Sequence, residues 1–94
     1  MSTTINLVEY IPSIGEESDG KKILAEIQQA LASGDEVLID FQGIQTLATI
    51  CAKLIFGTLY RELGKDQFYN RIMIANATRT VRRSIRLGIE FTIV

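Results

Sequence analysis

The side chains able to do chemistry gather in one short stretch, Asp40, Gln42, Gln45, Thr46 and Thr49. Asp40 directly follows the apolar run Val37-Leu38-Ile39 and could serve as a general base or accept a phosphoryl group. Thr49 stands where a helix should begin, and a phosphate there would meet unpaired backbone amides that tolerate anions. Each residue also has a plainer reading, and that reading ranks first. Asp40 can hydrogen-bond loop amides and fix a turn, and Thr49 can cap the helix behind it. A receiver-type phosphoacceptor would want more acids at the end of an earlier strand and a lysine after a later one. Neither stands at a suitable position. Cys51 has apolar neighbours and no activating base, so it reads as packing rather than as a nucleophile.

Absences narrow the chemistry further. The sequence has no histidine and a single cysteine, so Ser-His and Cys-His dyads, imidazole metal sites and thiolate zinc sites are excluded within one chain. Neither GxGxxG nor GxxxxGK[ST] occurs. No metal or cofactor is implied, and an enzyme, with only Asp40 and Thr49 to work with, ranks last among the functions.

The elements that must position these residues follow from apolar spacing. Residues 36–41 form an unalternating strand suited to the middle of a sheet, and Gly43 turns the chain toward a helix over 49–63. A strand ending in a polar turn that feeds a helix is where open α/β sheets place their sites. Residues 4–10 alternate as a first, edge strand that Pro12 stops. Residues 13–20 read as an acidic loop in which Ser18 or Asp19 caps the next helix. Ile23, Leu24, Ile27, Ala30 and Leu31 mark a helix over 20–33, stopped by Gly34. Residues 65–70 read as a polar loop anchored by Phe68 and Tyr69, and 71–75 as a short strand. Asn76 then caps a helix over 77–87, Gly88 closes it, and Ile89/Phe91/Ile93 alternate as a last strand over 89–94. Strands alternating with helices predict βαβ crossovers and a four-stranded, largely parallel or mixed sheet with three helices.

Two features look outward. In the central helix Ile50, Cys51, Ala52, Leu54, Ile55 and Phe56 cover nearly the whole circumference, with only Lys53 polar among them. Steps of 100° spread these residues around the axis, so at least one of Ile50, Lys53 and Leu54 should be accessible and form a docking patch or a homodimer contact. On the last helix Arg79, Arg82, Arg83 and Arg86 fall at i, i+3, i+4 and i+7 and form one basic stripe. It suits a solvated face, an acidic partner or an anion. The phosphates of a nucleic acid rank lower, because no aromatic residue is interleaved.

Length and composition bound the rest. Ninety-four residues, 47% apolar and 22% charged, describe one domain spanning 1–94. Net charge is −1, but residues 1–47 hold two lysines against eight acids, while residues 48–94 hold eight Lys/Arg against three acids. No apolar run approaches the roughly 18 residues of a membrane span. Met1-Ser2-Thr3-Thr4 does not open a secretory signal, and with the single cysteine this favours a cytoplasmic protein.

At Asp40-Phe41-Gln42-Gly43-Ile44 and the helix behind it, the sequence resembles STAS-like domains, relatives of the anti-sigma factor antagonists of bacteria. Its nearer likeness is to a small STAS-like family with the pattern Asp-Phe-Ser-Gly-Val, a turn, Ser-Ser-Phe-Ala, then Leu-x-Gly-x-Leu. Asp40, Phe41 and Gly43 match, Ile44 stands for Val, and Ala52, Gly57 and Leu59 fall in register. Ser18-Asp19-Gly20 and its helix also match, so the likeness covers most of the chain. The resemblance implies helices mainly on one face of a small sheet, and regulation by binding rather than catalysis. STAS proteins of this type bind serine kinases of the histidine-kinase-like ATPase fold, and phosphorylation at the helix N-terminus switches that binding. Where the STAS pattern has acid and serines, this chain has Ala48-Thr49-Ile50, so Thr49 alone keeps a hydroxyl. The leading expectation is a module docking a protein through Asp40, Gln42, Gly43, Gln45, Thr46, Thr49, Ile50 and Lys53. The alternative is a nucleic-acid-associated protein using the basic helix.

Overall fold

A computed structural model describes residues 2–34 and 36–93. In chain order the strands are β1 (Ser2–Asn6), β2 (Ser13–Ile14), β3 (Glu36–Asp40), β4 (Thr46–Leu47) and β5 (Ile72–Ala75). The helices are α1 (Glu17–Ala32), α2 (Thr49–Ala52), α3 (Thr58–Leu63), α4 (Lys65–Arg71) and α5 (Arg79–Ile93). A π-helical turn over Lys53–Gly57 joins α2 to α3, so 49–63 is one continuous central helix.

β1, β3 and β5 form a parallel sheet in that order, with β3 in the middle as its unbroken apolar run predicts. The register aligns Ile5 with Ile39, Val37 with Ile72 and Ile39 with Ile74. These side chains share the covered face of the sheet, where α1 packs on β1 and β3, and Val37 and Ile39 are fully buried. The opposite face carries Thr4, Leu38 and Met73 and is far less covered. A second, two-stranded parallel sheet pairs β2 with β4.

The expectation of one four-stranded sheet with three helices is therefore corrected: among the described residues the sheets have three and two strands, and with 49–63 counted as one helix there are four. Residues 65–70 are not a loop but α4, which buries Phe68 and packs it on Tyr60 with ring centroids 5.4 Å apart. Tyr69, the other expected anchor, is mostly exposed. Residues 89–93 are not a strand but the end of α5, and Val94 lies outside the described residues. The alternation there is real, but Val81, Ile85, Gly88 and Ile89 also follow a helical spacing, and burying that stripe on the central helix wins. Gly88 does not stop α5. It lets α5 approach the central helix so closely that a Cβ there would lie 2.6 Å from the Ala52 carbonyl carbon and 2.7 Å from the Lys53 amide nitrogen.

Smaller boundaries also differ. The first strand ends at Asn6 and gives way to a 3-10 turn, Val8–Tyr10. α1 starts before Ser18 and Asp19, at Glu17, where neither can cap it, and the Glu16 carbonyl accepts the Asp19 and Gly20 amides instead. Gly34 and Gly64 do follow α1 and α3. The apolar circumference of the central helix is accounted for by burial of Cys51, Ala52, Ile55 and Phe56 between α1, the sheet and α5.

Candidate docking surface at the carboxyl end of the sheet

All three long strands run the same way, so the segments after β1, β3 and β5 meet at one end of the molecule, the place where open α/β sheets gather functional groups. Asp40 ends β3 there. Its Oδ1 accepts two hydrogen bonds, from the Gln42 amide and from Asn76 Nδ2, each 2.9 Å. Both favour the ionised carboxylate, the Asn76 bond most, and hold its pKa below the usual aspartate value. Asp40 thus ties the turn after β3 to the segment after β5. With a lowered pKa and one oxygen doubly engaged, it is a poor proton acceptor and a good structural clamp.

Asn76 does not cap α5 as its position predicted. It adopts a left-handed conformation (φ 57°), which asparagine tolerates better than most residues, and gives its side chain to Asp40. The cap is Thr78, whose Oγ1 accepts the Val81 amide at 3.1 Å and donates to the Gln45 carbonyl at 3.3 Å. Thr78 thereby joins the start of α5 to the same turn.

The turn is held from a third side by the segment after β1. The Gln45 amide donates to the Pro12 carbonyl at 2.7 Å and the Ala48 amide to the Ile14 carbonyl at 2.8 Å. Gly43 has φ +85°, so its backbone demands glycine, and a Cβ there would lie 2.5 Å from Ile11 Cδ1, the movable tip of a side chain packed over it. Ile11 lies against it and is still 46% exposed. Sequence reasoning missed Ile11, although an apolar residue before a proline in a polar loop was a visible signal.

Thr49 does not cap the central helix. Ala48, pinned by its bond to Ile14, takes the N-cap position and Thr49 is the first helical residue, exposed and without a side-chain cap bond. Gln42, Gly43, Gln45, Thr46 and Lys53 are exposed as well. Ile50 is 57% exposed, while Cys51 beside it is buried and donates from Sγ to the Glu16 carbonyl at 3.3 Å. Burial is the main cause of a raised Cys51 pKa, with Asp19 and Glu17 adding to it, which leaves the thiol unreactive.

Asp40 and the Gln42–Thr49 turn thus lie at one end of the fold, with Ile50 on the first turn of the helix that follows, while Lys53 sets its ammonium 5.9 Å from the Phe91 ring of α5. The arginines form a separate surface: Arg79, Arg82, Arg83 and Arg86 line a shallow concavity on α5. The charge asymmetry survives folding at this point and at another concavity, lined by Glu9, Asp19 and Glu26 together with Lys22.

The sequence pattern of the family described as a STAS-like domain of unknown function matches residues 19–82. The chain belongs to that family. The matched span of this STAS-like domain runs from the first turns of α1 through the central helix into the start of α5, and so contains the Asp40–Asn76 clamp and the exposed start of the central helix. Curated proteins and solved structures give no match. Among the described residues no helix is long and apolar enough to cross a membrane.

Proposed function

We propose that this STAS-like domain is a non-enzymatic regulatory module of a bacterial cytoplasm that docks a protein partner through the turn and helix start at 42–56. The observation that carries the reading is Ile50. A large apolar side chain 57% exposed on the first turn of the central helix, in a segment that also exposes Gln42, Gln45, Thr46, Thr49 and Lys53, has the make-up of a small interface: an apolar residue among polar ones. Asp40 and Gly43 fix the turn that precedes this helix, and Ile11, packed on Gly43 and 46% exposed, adds apolar surface beside that turn. The resemblance to anti-sigma factor antagonists names the partner class, a histidine-kinase-like ATPase acting as a serine kinase. Phosphorylation of Thr49 would place negative charge next to Ile50 and change docking, and a second copy is the other partner for the same patch.

Ile50→Glu tests the reading. Glutamate suits the first helical turn, so the melting temperature should stay within about 3 °C of the parent, whereas affinity for the ATPase should drop at least roughly tenfold. A variant that melts as before and binds as before removes Ile50 from the interface.

A second reading rests on the arginine concavity. Exposed arginines along one helix can follow phosphates, and binding to DNA or RNA would then fall steeply with salt and weaken in Arg82→Ala/Arg83→Ala. No binding at low salt dismisses it.

A further inference from the structure

The helices leave one border of the sheet's covered face open. β5 is a terminal strand, and among the described residues no strand lies beyond it. A terminal strand points half of its peptide groups away from its neighbour, where another extended chain can pair with them. Beside this edge the covered face opens into a groove of about 350 Å³ between α4 and α5, lined by Ile72 and Ile74 of β5, Phe68 of α4 and Ile85 of α5. Arg82 and Arg86, both exposed, also line it.

We infer that this edge takes an extended segment of a protein partner, which adds a strand to β5, seats alternate apolar side chains in the groove and sets carboxylates against Arg82 and Arg86. Alternate residues of a strand share a face, so a segment paired with β5 presents residues i and i+2 on the side where Ile72 and Ile74 already stand. The rim carries two arginines against one acid, Glu90, which also lines the groove and stands 4.0 Å from Arg86, while Arg82 has no ion pair among the described residues, so the surplus charge favours acid. A second copy joined edge to edge across a two-fold axis would bring two such arginine rims together, which like charge opposes. A nucleic acid would use the arginines but not the apolar groove or the strand edge.

The probe is a short, end-capped peptide of alternating valine and threonine closed by two glutamates, titrated into the full chain. Amide shifts should move at 72–75 and around Ile85. The peptide should bind at least roughly tenfold tighter than its counterpart with lysines in place of the glutamates. Arg82→Glu/Arg86→Glu should reverse that preference, which a merely structural effect of the substitutions would not do. N-methylation of the peptide's strand amides should abolish binding. Ile50→Glu should bind the peptide unchanged, so this outcome is separate from the docking proposed for 42–56. Equal binding of the glutamate and lysine peptides, binding of neither, or self-association of the chain through β5 would each overturn the inference.

Discussion

Gly88→Ala adds one methyl group where α5 crosses the central helix. The new Cβ would lie 2.6 Å from the Ala52 carbonyl carbon, 2.7 Å from the Lys53 amide nitrogen and 2.8 Å from the Ala52 carbonyl oxygen. Carbon atoms in contact stand about 3.5–4.0 Å apart, so α5 would have to retreat by roughly 1 Å. All three atoms are backbone, and no rotamer change can absorb the overlap. Overpacking of a close-packed core costs about 1–3 kcal/mol, and the rigidity of this contact puts the change at the upper end. Alanine returns about 1 kcal/mol as the better helix former. The net expectation is about 2 kcal/mol of destabilisation, which for a domain of this size lowers the melting temperature by roughly 8–16 °C. Gly20→Ala is the control. Its Cβ would meet Cys51 and Leu54 at 3.6 Å, an ordinary contact, so there the propensity gain should prevail and stability rise by up to about 1 kcal/mol. Urea and thermal unfolding followed by circular dichroism read both changes. A Gly88→Ala protein as stable as the parent would refute the close helix crossing and the packing account built on it.

Two further expectations concern the site. Thr78→Ala should cost about 1 kcal/mol through the lost cap on Val81, while Thr49→Ala should change stability by less than about 0.5 kcal/mol because its hydroxyl makes no cap bond; urea midpoints compare them. Asp40→Asn should remove a pH dependence. A carboxyl whose pKa is lowered on folding adds stability above its unfolded pKa and loses it as pH falls through the folded one. The stability advantage of the parent over Asp40→Asn should therefore shrink from neutral pH toward about pH 3, and a difference that stays flat would show that Asn76 and Gln42 do not favour the ionised form.

What was legible in the sequence was what periodicity and composition determine. The unbroken run Val37-Leu38-Ile39 placed the central strand, the all-round apolar helix start implied an enclosed helix, and the same geometry required an accessible flank, which is Ile50. What was not legible depended on tertiary partners. α4 is seven residues long with Phe68 its one buried side chain, too few for a periodic signal. The end of α5 fits two periods at once, and only the crossing at Gly88 decides between them. Thr49 failed as a cap because β4 pairs with β2 and fixes Ala48 first, and Asn76 failed because Asp40, 36 residues earlier, takes its side chain. Caps and clamps of this kind hang on contacts distant in sequence, which local propensity cannot supply.

The central claim, docking through 42–56, is tested most directly by amide shift mapping of the chain titrated with a histidine-kinase-like ATPase of the serine-kinase type. The account predicts shifts and line broadening confined to the Gln42–Phe56 segment and to Ile11, and their loss in Ile50→Glu. Perturbations centred on the arginines of α5, or a map that Ile50→Glu leaves unchanged, would contradict it.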